Sequence, residues 1–131
     1  MRIEITQNVA YAHYISMINK VKFVGITVSD QDKALAFYTE KLGFKKITDQ
    51  PMGKQRWIEL EIPGAETSIV LFTPEGFENR IGTFQNIAFT TDDVEKTYQE
   101  LKAKGVTFTV EPKNVKYPVF EDNFLCLFLP L

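Results

Sequence analysis

Residues 21–44 read VKFVGITVSDQDKALAFYTEKLGF, and the change of period inside this stretch sets the organisation of the chain. Its first part, VKFVGITVS, is apolar and β-branched, which predicts a strand. Its remainder places Ala34, Phe37, Tyr38 and Leu42 at helical spacing, which predicts an amphipathic helix with one buried stripe. Both helix ends have a physical cause. Ser29 or Asp30 offers a side-chain oxygen to the orphan amides of the first turn, and Gly43 can adopt the left-handed conformation that stops the helix.

Working outward, three strand-like runs follow, FKKITDQ, QRWIELEIP and TSIVLFTP, separated by chain reversals at Pro51-Met52-Gly53 and Pro63-Gly64. EGFENRIG reads as a linker, after which the pattern restarts: strand TFQNIAFTT, helix DDVEKTYQELKAKG, then strands VTFTVEP, YPVFED and NFLCLFLP. Asp92 and Glu95 fit a capping box for the second helix, whose buried stripe is Val94, Tyr98 and Leu101. Upstream, residues 1–19 show only a brief alternation and read as an N-terminal extension.

The two halves share a register. Asp30 and Gly43 are 13 residues apart, as are Asp92 and Gly105, and each helix lies between an apolar strand and further strands. A repeat of this length, present twice, is too long for a solenoid unit and predicts a duplicated βαβββ module, spanning about 20–74 and 82–131 of one domain, 20–131.

The stretches GITVSDQDKALAFYTEKLGF and NIAFTTDDVEKTYQELKAKGVTF resemble the two helix-bearing motifs of the glyoxalase and bleomycin-resistance, or vicinal oxygen chelate, superfamily. The resemblance runs from about Lys20 to Pro130. It rests on the strand, the Asp cap, the FYxxxLGF ending and the KGVxF ending occurring in that order. It implies an α+β fold in which two tandem βαβββ modules form curved half-barrel sheets around a central cavity, usually in a homodimer. It implies little about the reaction, because one fold hosts many chemistries.

Metal-dependent members of that superfamily place one ligand on the first and last strand of each module. Counting from the repeated aspartates and the terminal strands, the resemblance assigns these positions to Phe23, Val70, Asn86 and Cys126. A catalytic divalent ion needs three or four imidazole, carboxylate or thiolate donors at fixed geometry, and phenylalanine and valine supply none. The one histidine, His13, lies in the extension. No cofactor is therefore expected. The turn Glu121-Asp122-Asn123-Phe124 is shorter than the family pattern, and the apolar ending FLCLFLPL is abrupt, so Cys126 is the loosest of the four assignments.

Side chains alternate across a strand, so the same parity carries Gly25 and Thr27 inward with Phe23. It likewise gives Ser68, Val70 and Phe72 on the fourth strand, Asn86, Ala88 and Thr90 on the fifth, and Phe124, Cys126 and Phe128 on the last. Such a cavity is apolar and aromatic with a few polar groups, as small-molecule sites are. The plain alternative is that these aromatics fill the barrel as core. Trp57, Glu59 and Glu61 share one face of the third strand and are secondary candidates, although a solvent-facing strand shows the same alternation. Tyr38 reads as structural, and Cys126 as a buried thiol without a base to activate it.

Bulk properties narrow the classes further. With 131 residues, 44% hydrophobic and 24% charged, the chain has the balance of one folded domain. A net charge of −2 with scattered basic residues gives no field to gather nucleic acid or an anionic membrane. No apolar run approaches the roughly 20 residues of a membrane span, no secretory leader is recognisable and one cysteine cannot form an internal disulfide, so a cytoplasmic location is expected. The common dinucleotide, P-loop, serine-hydrolase, dithiol and zinc-protease motifs are absent.

Three functions compete. The first is a metal-free protein that sequesters a small apolar or aromatic ligand, as the bleomycin-resistance branch does. The second is a metal-dependent lyase, isomerase or dioxygenase with an atypical site drawn from Glu59, Glu61, Asn86 and Glu121. The third is a non-catalytic dimeric interaction module whose cavity is filled by its own side chains.

Overall fold

The computed structural model describes residues 17–83, 85, 87–108, 124 and 125. Most of the N-terminal extension, including His13, lies outside them. The strand predicted at the start of the motif is β1, Phe23–Ile26. The chain continues through α1, Gln31–Ala36, into β2, Lys45–Met52, β3, Gln55–Glu61, and β4, Ser68–Leu71. These strands form one sheet in the order β1-β4-β3-β2, with β1 parallel to β4 and the other pairs antiparallel. Among the described residues no helix is long and apolar enough to cross a membrane.

The sheet has two chemically different faces because its register keeps the parity of each strand in step. Ile26 and Val28, Ile58 and Leu60, and Ile69 and Leu71 are buried on one side, where Ala34 and Tyr38 from the helical segment cover them. Each such side chain contributes about 1.5–3 kcal/mol of burial relative to exposure. The opposite parity, Phe23, Gly25, Thr27, Trp57, Val70 and Phe72, faces away from the helix.

Two sequence boundaries move. Pro51 and Met52 do not break the chain but end β2, and the reversal is the tight turn at Gly53-Lys54, where Gly53 has a φ of 63°. Pro51 is tolerated because β2 is an edge strand, where a missing N–H costs no internal rung. The predicted first helix is α-helical only to Ala36; Phe37–Lys41 continue as a π-helical turn, with the Leu42 amide donating to the Phe37 carbonyl. Asp30, not Ser29, is the cap, accepting from the Lys33 amide at 3.0 Å.

At the end of the sheet beyond β1, β3 and β4, side chains replace backbone rungs. Gln31 at the start of α1 reaches between two strands, its Nε2 donating to the carbonyls of Arg56 and Leu71 at 2.6 and 2.8 Å while its Oε1 accepts from the Arg56 amide at 3.0 Å. Gln55 does the same toward Thr73, donating to its carbonyl and accepting from its amide. The Thr73 hydroxyl in turn accepts from the Val28 amide and donates to the Val28 carbonyl. Buried backbone groups that the splayed strands cannot pair are thus satisfied.

The second half follows a short 3-10 turn, Glu78–Arg80. It contains β5, Phe89–Thr90, α2, Val94–Ala103, and β6, Phe124–Leu125. The cap of α2 is Asp93 rather than Asp92: its carboxylate accepts from the Lys96 amide at 3.0 Å. The capping box with Glu95 is therefore not formed, because the helix starts one residue later than the aligned repeat implies. Tyr98 and Leu101 are buried and Val94 is half-buried. Phe44 and Phe89 bring the halves together, with ring centroids 5.7 Å apart. The β5–β6 pair is antiparallel, unlike the β1–β4 pair.

Candidate functional site

The face of the sheet turned away from α1 carries a cleft of about 360 Å³. Register explains its shape. Phe23 lies beside Ser68, Gly25 beside Val70, and Glu59 opposite Val70, so Gly25, Val70 and Glu59 form one row across three strands. Gly25 has no side chain, and a Cβ built on it meets nothing within 4 Å. Across that gap the Phe23 ring meets Trp57 edge-on, with centroids 5.3 Å apart and planes at 83°. Trp57 in turn lies 5.4 Å from Phe72. Gly25 and Val70 are the floor, and three aromatic rings are the walls.

Glu59 holds one of those walls. Its carboxylate accepts from the Ser68 hydroxyl at 2.6 Å and from the indole Nε1 of Trp57 at 3.4 Å. It is half-buried, as is Glu61, and neither is a fully solvated strand residue. The rim comes in part from the segment read from sequence as a linker. Phe77 and Arg80 of that segment border the opening, with Pro74 just before it and Gln85 after it, in the run read as a strand. Gln85 fastens this segment to β1, its Oε1 accepting from the amide and hydroxyl of Thr27 at 3.3 Å each.

Of the residues selected from sequence, the fold thus brings Phe23, Val70 and Phe72 together with Trp57. Thr90 does not join them. Its strand pairs with β6 in a separate two-stranded sheet, and Thr90 lines another hollow of about 390 Å³ with Leu42, Phe44, Ile62 and Phe89. Asn86 and Cys126 lie outside the described residues, and Phe124 enters only as the strand partner of Thr90. Phe77, Arg80 and Gln85 were not selected from sequence. An aromatic residue with arginine three positions on, inside a short polar connector, was the available signal.

The model of the glyoxalase/bleomycin resistance protein/dioxygenase superfamily matches residues 20–124. The chain belongs to that superfamily. YurT, an uncharacterized protein of Bacillus subtilis (strain 168), is 41% identical over 116 residues, covering 79% of this chain and 91% of YurT. TnmS3, an antibiotic binding protein from Streptomyces sp. CB03234, matches with a TM-score of 0.68 at 34% identity, covering 79% of this chain and 84% of its own. Lactoylglutathione lyase GLX1 of Arabidopsis thaliana is 34% identical over 95 residues, 68% of this chain but 34% of that protein.

Two of the four positions that the resemblance assigns to metal ligands, Phe23 and Val70, are among the described residues, and their side chains carry no lone pairs to offer a metal ion. Val70 is only 1% exposed and forms the cleft floor. Among the described residues no three His, Cys, Asp or Glu side chains cluster as a metal site. Tyr38 lies on the other face, stacked on Phe44, where burial pushes its phenol above the ordinary range. It is part of the core.

Proposed function

We propose that this chain is a metal-free small-molecule-binding protein that sequesters a planar aromatic ligand without turning it over. The observation that carries the reading is the aromatic cleft itself: Phe23, Trp57 and Phe72 stand around a glycine floor and leave about 360 Å³ open. Aromatic walls favour ring systems through offset and edge-on contacts worth about 0.5–1.5 kcal/mol each beyond area burial. A volume in this range suits a drug-sized compound. The similarity to TnmS3 supports the same reading. Homodimerisation is part of the proposal: among the described residues β1 is an edge strand, and Met17 and Val21 just before it are exposed apolar side chains.

Trp57 is the only tryptophan in the chain and forms a wall of the cleft, so its fluorescence reports occupancy directly. Titration with a panel of polycyclic aromatic antibiotics is expected to quench it saturably at micromolar concentration, with the ligand recovered chemically intact by mass spectrometry. Quenching by no member of the panel, or recovery of a converted product, overturns the reading. Light scattering of the unliganded protein tests the dimer.

A further inference from the structure

Arg80 is the only ionised side chain among the described residues that line the aromatic cleft. Its guanidinium lies over the Phe77 ring, 5.6 Å from the centroid. Among the described residues no carboxylate pairs with it, whereas Arg56, on another part of the surface, binds Asp32 and Asp49 together. A guanidinium stacked on a ring still presents the N–H edge that matches an oxyanion.

The position of Arg80 is fixed by its backbone. Its carbonyl accepts from the Thr83 amide at 3.1 Å, the Thr83 hydroxyl at 2.7 Å and Gln85 Nε2 at 3.1 Å. Its amide donates to the Phe77 carbonyl at 3.0 Å. Gln85 is held by Thr27 of the segment that leaves β1, so the turn bearing the cation is fastened to the strand that forms the cleft floor. One end of a largely apolar slot therefore carries a positive charge with no acidic partner in the lining.

We infer that Arg80 makes the cleft selective for planar aromatic compounds that bear an oxyanion, such as a sulfonate, carboxylate or phenolate, over their uncharged counterparts. The inference rests on the reading of the cleft as an aromatic ligand site and names the chemical class that the site takes. Because the guanidinium is on the exposed rim, its contribution is that of a solvent-screened ion pair, about five-fold in affinity. The preference shrinks as salt is added.

The test uses two probes that differ by one sulfonate group, anilinonaphthalene sulfonate and its uncharged parent phenylnaphthylamine. Their affinities are measured by fluorescence for the full chain, for Arg80→Gln, for Arg80→Lys and for Gly25→Leu, which fills the cleft. The expected result is tighter binding of the sulfonate by about five-fold at low salt, convergence of the two affinities in Arg80→Gln, partial retention in Arg80→Lys, and loss of both probes in Gly25→Leu. Equal affinities in the unaltered chain, or a preference that survives Arg80→Gln, overturn the inference while the cleft stands as an aromatic site. If neither probe binds at a site that Gly25→Leu blocks, the cleft reading falls and the inference with it.

Discussion

At Gly25 the missing side chain shapes the site. A strand interior ordinarily disfavours glycine by about 0.5–1 kcal/mol relative to alanine, and Gly25 does not need a positive φ, so its backbone conformation would accept a larger residue. The space above it is what lets Phe23 lean across to Trp57. In Gly25→Leu the gain in strand propensity is offset by the Phe23–Trp57 contact that the leucine displaces, so the melting temperature is expected to change little while ligand-induced quenching of Trp57 is abolished. A variant that unfolds, or one that still binds, contradicts this account, and circular dichroism beside the fluorescence titration distinguishes the two. Periodicity brought out Gly25 as an inward position, but it could not show that the residue clears a path between two rings. That depends on a contact between side chains four residues apart in register.

Among the elements, the β2–β3 hairpin is tied to α1 through one arginine. Arg56 Nε and Nη2 each lie 3.0 Å from an oxygen of Asp49, and its Nη1 reaches Asp32. The hydrogen bonds from Arg56 hold the Asp49 carboxyl below its ordinary range, with Lys46 adding to the effect. A depressed carboxylate contributes stability that is present above its unfolded pKa, about 3.9, and is lost as the pH falls through the lower folded value. Acid titration of stability followed by circular dichroism is expected to show a shallower decline below about pH 4 for Asp49→Asn than for the unaltered chain. An identical acid limb in the two proteins removes this pair from the account.

The two helices show how far a repeat can be read. Their terminal glycines lie 62 residues apart, as the aligned sequence implied, but their caps, Asp30 and Asp93, lie 63 apart. The first helix thus holds one residue more between cap and glycine, and the π-helical turn at Phe37–Lys41 is where it is absorbed. Hydrophobic spacing alone could not separate these cases, since Asp92 and Asp93 are adjacent and both can cap. The four strands of the first half were legible because β-branched runs and parity report the same thing. Of the second-half strands read from sequence, TFQNIAFTT is a strand only at Phe89–Thr90 among the described residues, YPVFED lies outside them, and so does most of VTFTVEP. The turn at Gly53 was misplaced because Pro51 reads as a breaker unless the strand is known to be an edge.

For the whole molecule, the fold was written in the order of its motifs, while the site depends on a connector. EGFENRIG has the composition of a linker, yet its Phe77 and Arg80 border the cleft because Gln85 fastens the segment to Thr27. No local pattern encodes that bond across 58 residues. The expectation about metal binding rests on residue types alone, since the Phe23 and Val70 side chains have no donor atom to offer. Exhaustive treatment with a chelator, followed by addition of manganese, iron, nickel or zinc, is expected to change neither the melting temperature nor the quenching of Trp57 by a bound aromatic compound. A stoichiometric ion that raises either one would reopen the metal-dependent reading.

The glutamine rungs make the sheet vulnerable to chemical ageing. A primary amide both donates and accepts, and Gln31 uses both functions between two strands. Hydrolysis of that amide replaces the nitrogen with a carboxylate oxygen and sets it against the carbonyls of Arg56 and Leu71, where a donor stood. Gln31→Glu is the direct imitation of this damage. It is expected to lower the stability at neutral pH by about 1–3 kcal/mol, measured by denaturant unfolding, and to recover part of it in mild acid, where the carboxyl regains a proton to donate. Protein damaged in this way would then lose order at the end of the sheet where Trp57 and Phe72 stand, so the cleft would fail through a residue that does not line it.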